Sequence, residues 1–453
     1  MSAFDVNELM LGFDSLCVYK NLVNDSVLKK LYELGVVVYR RGLDAHEFIR
    51  KYNEFFFELA NADSVQSLKE HIIKLILFDE NPFSRQAEKT PFDNIDKILV
   101  DAASKDLDRL YDISCITSHA LKEYALENIC TCEIEKRFIN SLPEWEFDNK
   151  HNERKSGFTH SCEKMIDILA TKGRWGEWIK HLSDFYFTNG SGIFARYHAF
   201  VWEPGEAQMR LRGIESPDPI RLSDFIGYER ERLEVVENTE KFVRGLPANN
   251  VLLYGDRGTG KSSTVKAIAN EYKEQGLRII EIPRKYLVDF PAVLRLIKGR
   301  KCRFIIFIDD LAFEDSEESY TVLKSVLEGG VENRPDNVLI YATSNRRHLI
   351  KEKFSDRAGL KSVDPDDEVR AQDTLQEKLS LSERFGITVV FTSPDKKGFL
   401  QIVEGLAAKR GINIDKDTLQ REAMKWELMY NGRSARTARQ FIDWLEGNES
   451  LNE

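Results

Sequence analysis

The run GDRGTGKS (255–262) places residue types where they could hold a polyphosphate. It fits the pattern G-x-x-x-x-G-K-[ST]. Gly255, Gly258 and Gly260 let the backbone curl so that successive N–H groups point at phosphate oxygens. Lys261 can reach the β- and γ-phosphates, and Ser262 offers a hydroxyl ligand to Mg²⁺. A helix opening near Lys261 would add the positive end of its dipole. The whole segment Gly255, Asp256, Arg257, Gly258, Thr259, Gly260, Lys261, Ser262 and Ser263 is therefore the expected nucleotide-contacting stretch. A second element should be an apolar strand ending in acid, and FIIFIDDL (304–311) meets that. Asp309 is placed to hold the Mg²⁺ shell and Asp310 to polarise water. Two adjacent carboxylates at the end of an apolar strand are costly without a cation nearby. Asp310 could instead be a helix cap, with Glu314 and Asp315 close enough to take its place.

The elements that must position these groups alternate between strand and helix. VLLYG (251–255), RIIEI (278–282), FIIFIDD (304–310), VLIYATSN (338–345) and ITVVFT (387–392) read as strands. Their near-continuous apolar character predicts a parallel sheet covered on both faces. After Pro394 the pattern is wholly helical, at 397–411, 417–431 and 434–447, a small all-α subdomain. The expected class is α/β: a P-loop fold with a parallel sheet and a C-terminal helical lid, preceded by a mostly helical N-terminal region. The expected boundaries are 1–190 for that region, 191–220 for a strand and connector, 221–393 for the α/β domain and 394–447 for the lid.

Several further strings extend the pattern, and together they resemble the AAA+ ATPases over roughly 221–445. DFIGYERE (224–231) resembles the segment lining the adenine pocket, with Ile226 and Gly227 at its centre. YATSN (341–345) resembles sensor 1, whose polar residue is Asn345. LSERFG (381–386) resembles the arginine-finger segment, with Arg384. GRSARTAR (432–439) resembles sensor 2, with Arg436 the best match and Arg433 and Arg439 as alternatives. More narrowly, LRGIESPDPIRLSDFIGYE, YGDRGTGKSS, IDDL, ATSNRRHLI, SERFG and GRSARTARQF resemble a bacterial ATP-binding family known only as a domain of unknown function. The resemblance implies ATP and Mg²⁺ as cofactors and hydrolysis coupled to remodelling of a protein or nucleoprotein partner. It further implies a homo-oligomer in which Arg384 acts on the neighbouring subunit's nucleotide. Many members have Asp-Glu where this chain has Asp309-Asp310, which leaves open a nucleotide-gated module with little turnover. Replication initiators and helicase loaders also show Asp-Asp, so a DNA-associated role is a further alternative. Arg384 could also pair simply with Glu383 or another acid, and Arg436 could belong to a solvated basic face.

The rest of the sequence narrows the partners. The chain has 453 residues, with 65 Lys plus Arg against 75 Asp plus Glu and a net charge of −10. Such a balance excludes a generalised polyanion binder, so nucleic acid would need a local patch such as KGRKCR (298–303). No apolar run reaches the roughly 18 residues a membrane helix needs, and MSAFDVNELMLGFD is not a secretory signal. A cytoplasmic protein without membrane contact is expected. Of six cysteines only Cys130 and Cys132 are close, and no second pair stands at zinc-ligand spacing. Before residue 190 the pattern is helical, at 44–60, 65–78, 94–111, 116–127, 162–171 and 177–187. Asn81-Pro82 reads as a break, DNKHNERKSG (148–157) as a loop, and GIFARYHAFVWE (192–203) as a strand. The segment 346–381 is long and charged, either a partner-touching element or a plain loop.

Overall fold

The computed structural model describes residues 5–40, 44–62, 67–146, 158–205, 208–311, 317–328, 335–345, 383–430 and 432–450. The stretches 148–157 and 346–381, and with them Glu314 and Asp315, lie outside the described residues. The chain forms two compact units, Met1–Arg196 and Tyr197–Glu453.

The first unit is helical. Its helices are α1 (Val6–Asp14), α2 (Ser26–Tyr39), α3 (Ala45–Asn61), α4 (Leu68–Phe78), α5 (Pro82–Lys89), α6 (Lys97–Ser114), α7 (Ser118–Asn128), α8 (Glu133–Asn140), α9 (His160–Thr171), α10 (Ile179–Asn189) and the single turn α11 (Ile193–Arg196). Phe48, Tyr52, Phe55 and Leu59 fall on one face of α3 and are all buried. Trp145 packs on Tyr52 and Phe55. Trp175 is buried and donates its indole N–H to Leu169 O at 2.8 Å. The expected break at Asn81-Pro82 separates α4 from α5, and the same pair starts the second helix. Asn81 caps α5, accepting from Ser84 N at 2.9 Å, and Pro82 occupies the first turn, where its missing N–H costs nothing. The fully buried Asp106 on α6 accepts the backbone N–H groups of Cys17, Val18 and Tyr19 at 2.9, 2.7 and 3.0 Å, which fixes the link between α1 and α2.

The second unit is a seven-stranded sheet in the order β2-β1-β4-β5-β6-β3-β7. The strands are β1 (Ala199–Pro204), β2 (Met209–Gly213), β3 (Val251–Gly255), β4 (Leu277–Glu281), β5 (Arg303–Ile308), β6 (Val338–Ser344) and β7 (Ile387–Phe391). All pairs are parallel except β1 with β2. The run 192–203 thus divides: Ile193–Arg196 is a helical turn and the strand begins at Ala199. Residues 211–213, read from sequence as the start of a connector, finish β2. Their Arg-rich alternation hid a solvent-facing edge strand, of the charged kind that discourages further pairing. Helices α12 (Glu229–Val243), α13 (Lys261–Tyr272), α14 (Phe290–Ile297) and α15 (Glu317–Glu328) belong to the sheet domain. Helices α16 (Lys396–Arg410), α17 (Lys416–Met429) and α18 (Ala435–Ser450) form the lid, with its own core around Phe399, Val403, Ala423, Phe441 and Ile442. All six cysteines are described, and none is in a disulfide. No described helix is long and apolar enough to cross a membrane.

Candidate nucleotide site

The loop between β3 and α13 takes the conformation its glycines permit. Gly255, Gly258 and Gly260 have φ of 135°, 77° and 95°, a region that side chains with a Cβ rarely enter. A Cβ on Gly255 would land on the Phe391 carbonyl. Lys261 opens α13 and is only 6% exposed. Its Nζ donates to Gly255 O at 2.9 Å, Asp256 O at 2.7 Å and Asn345 Oδ1 at 3.1 Å. Burial pushes the ammonium below its ordinary pKa, while Asp256, Asp309 and Asp310 oppose that.

The two acids lie just beyond β5. Asp309 Oδ1 accepts from Ser262 Oγ at 2.6 Å, Thr343 Oγ1 at 2.5 Å and Asp310 N at 3.1 Å. Asp310 has φ of 49°. Its N–H also donates to Thr343 Oγ1 at 3.0 Å, and its Oδ1 accepts from Asn345 Nδ2 at 2.7 Å. Asn345 therefore joins Lys261 to Asp310 through its two amide atoms. Among the described residues no cluster of three or more His, Cys, Asp or Glu could hold a metal. The donors beside the loop are a hydroxyl and carboxylates, an all-oxygen set that fits Mg²⁺, which takes one or two protein ligands and completes its shell with phosphate and water.

The segment after Asp224 closes another side. The Phe225 ring lies 3.6 Å from where a Gly260 Cβ would be, and Arg232 stacks over it at 4.6 Å. Arg232 also donates to Gly227 O. Ile226 packs against the lid core and leaves no room for a Cβ at Gly405. Gly227, at φ 75°, sits against Ile402. Tyr228 has φ of 58°. Its Oη donates to Thr392 O at 2.7 Å, and burial raises its pKa to about 12, with Glu231 and Asp256 adding to the shift. From the lid, Arg436 N donates to Gly258 O at 3.0 Å, and its charge acts on Lys261. Of the three arginines in that string, Arg433 is paired with Glu427 at 3.2 Å.

The structure thus brings together Lys261, Ser262, Asp309, Asp310, Asn345, the glycines and the backbone of Arg436. It does not bring Arg384 into that group. Arg384 pairs with Glu328 at the end of α15, Nε to Oε1 at 2.6 Å. Thr343 went unnoticed in the sequence, although it lies only two residues before Asn345. Tyr228 and Ser393 were missed for want of any spacing that singles them out.

Residues 195–449 match a family described as "Protein of unknown function (DUF815)". The chain belongs to this family. Its sheet order, phosphate loop and helical lid make it one of the AAA+ P-loop ATPases. Among curated proteins it is similar to the proteasome-activating nucleotidase of Methanosarcina mazei, 32% identical over 170 residues, covering 33% of this chain and 40% of the relative. It is also similar to the 26S proteasome regulatory subunit 4 homolog of Saccharomyces cerevisiae, 36% identical over 103 residues, covering 20% and 24%. A putative 26S proteasome regulatory subunit homolog of Methanocaldococcus jannaschii is 25% identical over 239 residues, covering 46% and 63%. The chain thus spans less than two thirds of these relatives' own length. Among solved structures, the RuvB Holliday junction branch migration motor of Thermotoga maritima aligns with TM-score 0.31 and 15% identity, covering 49% of this chain and 71% of that one.

Proposed function

We propose that the protein is a Mg²⁺-dependent ATP hydrolase whose nucleotide cycle remodels, or assembles with, a protein or nucleoprotein partner. The observation that supports it most is the Lys261–Asn345–Asp310 bridge beside the Ser262–Asp309 pair. In this reading the loop N–H groups from Arg257 to Ser263, with Thr259 among them, hold the phosphates, while the Asp256 N–H is engaged by Phe391 O, and Lys261 neutralises their charge. Ile226 and Gly227 line the base pocket. Mg²⁺, held by Ser262 and Asp309, would offset charge between the β- and γ-phosphates. Asp310 takes a proton from the attacking water while Asn345 fixes its carboxylate. Arg436 brings the lid to the γ-phosphate.

Arg384 would serve a neighbouring copy's nucleotide, which requires its pair with Glu328 to open, so turnover should rise more steeply than protein concentration. The curated relatives named for the proteasome share only part of their length with this chain. The printed name of one, a proteasome-activating nucleotidase, supports a nucleotide-using protein with a protein partner. Asp310 accepting from Asn345 also suits a nucleotide-gated switch with little turnover.

Phosphate release by the purified chain with Mg²⁺ and ATP separates the two. The hydrolase reading expects steady release that Asp310→Asn lowers by about a hundredfold, with ATP affinity kept. Binding without release would favour the switch, and no ATP binding by the native chain would reject both.

A further inference from the structure

The chain passes from β7 into the lid through Thr392, Ser393 and Pro394, and each peptide group at the sheet end of this hinge is held. Asp256 N donates to Phe391 O at 2.9 Å, Tyr228 Oη to Thr392 O at 2.7 Å, and Ser393 N to Asp256 Oδ2 at 2.7 Å. Pro394 follows, with φ fixed by its ring and no N–H to give. Asp395 then caps α16 by accepting from Gly398 N at 2.7 Å. The Tyr228 ring lies 5.5 Å from that of Phe391 and packs on both the sheet core and the lid core.

Asp256 belongs to the phosphate loop, and beyond its charge acting on Lys261 phosphate binding gives no reason for a carboxylate there. Backbone N–H groups do that work, and a second negative charge beside phosphates is unfavourable. The side chain's partner is the hinge. The Ser393 backbone N–H and hydroxyl hold its carboxyl below the usual carboxylate range, so it is charged at neutral pH and its hydrogen bond is charge-assisted. Two residues on, Gly258 O accepts from Arg436 N, and a Cβ on Gly258 would stand 2.9 Å from Ser434 Oγ. One loop therefore grips the lid where the chain enters it and again where its last helix starts.

We propose that Asp256 is a positioning residue that couples the phosphate loop to the lid hinge, so that a nucleotide settling on the loop and the angle of the lid change together. This rests on the ATP reading above for its nucleotide half only. The side chain sets the lid and leaves phosphate affinity to Lys261 and the loop backbone.

The test uses the full chain with a label pair introduced as non-natural amino acids at exposed Gln275 and Leu428. Without nucleotide, the native chain should give a narrow distance distribution, Asp256→Ala a broad one, and Asp256→Asn, which keeps the size and one acceptor oxygen, an intermediate one. With Mg²⁺ and ATP, Asp256→Ala should lower kcat about fivefold while KM stays within about twofold, as expected for loss of an exposed charge-assisted bond away from the phosphates. Asp256→Asn should recover most of that loss. An unchanged distance distribution in Asp256→Ala overturns the proposal, as does a rise in KM like that of Lys261→Ala. Should Asp256→Ala not fold, the absence of any broadening in Asp256→Asn overturns it equally. If the native chain binds no ATP, the hydrolase reading has failed, and the nucleotide-free distances still decide whether Asp256 holds the hinge.

Discussion

Asp106 and Asp309 each accept several hydrogen bonds, one in the helical unit and one in the sheet unit. Asp106 is fully buried, and three of its donors are the backbone N–H groups of Cys17, Val18 and Tyr19, joined by the Cys17 thiol and by Arg109 Nη1 at 3.1 Å. Its three backbone partners are fixed in place, so the arrangement staples one link of chain. Asp309 is exposed, and two of its donors are the hydroxyls of Ser262 and Thr343, which can turn elsewhere. Its third donor is the N–H of a residue with left-handed backbone. A carboxylate becomes a site when its partners are exchangeable and solvent can reach it.

Substitutions in the two units should separate these roles. Lys261→Ala should have the largest effect, weakening ATP binding by about a thousandfold as a buried cation is lost from the phosphates. Equilibrium binding measures it, and native-like affinity would remove the loop from the nucleotide site. Next, Asp106→Ala should destabilise the first unit by about 3 kcal/mol, because buried N–H groups lose their acceptor. Denaturant unfolding reads this, and ATP affinity should stay unchanged. An equal loss of ATP binding would show that the first unit's staple also serves nucleotide binding. Thr343→Val, nearly isosteric, should lower kcat about tenfold with KM almost constant, since only the support of Asp309 and Asp310 is lost. The smallest change belongs to Lys51→Ala. Lys51 and Lys30 form a partly exposed network with Glu33 and Glu54, and its removal should cost less than about 1 kcal/mol.

The sheet unit was legible because its chemistry fixes both residue type and spacing. Only glycine fits 255, 258 and 260, only an apolar run suits β5, and the acids must follow it directly. The first unit carries no such constraint. Its α2 went unread because SVLKKLYELGVVVY carries Gly35, which looks like a breaker. The glycine is there for closeness: a Cβ would stand 2.8 Å from the Met10 sulfur on α1. Asn81-Pro82 reads as a break and is one, and it also starts α5, since residues that end one helix are those that start the next. Arg384 shows the limit of likeness. Its string resembles a finger, while in the folded single chain its side chain rests on Glu328, a partner 56 positions away in sequence that no local pattern announces.

The left-handed backbone at Asp310 constrains how this position can drift over evolutionary time. At φ 49° Asp and Asn are several-fold enriched among non-glycine residues, because a short polar side chain bonds locally to its own turn. Asn and Gly would keep the peptide geometry and lose the carboxylate that the proposed hydrolysis needs. Glu would keep the acceptor with longer reach and meet a backbone that does not favour it. Asp-Asp in place of Asp-Glu then has a conformational reason as well as a chemical one, and a lineage that has settled on this turn has few single steps out of it.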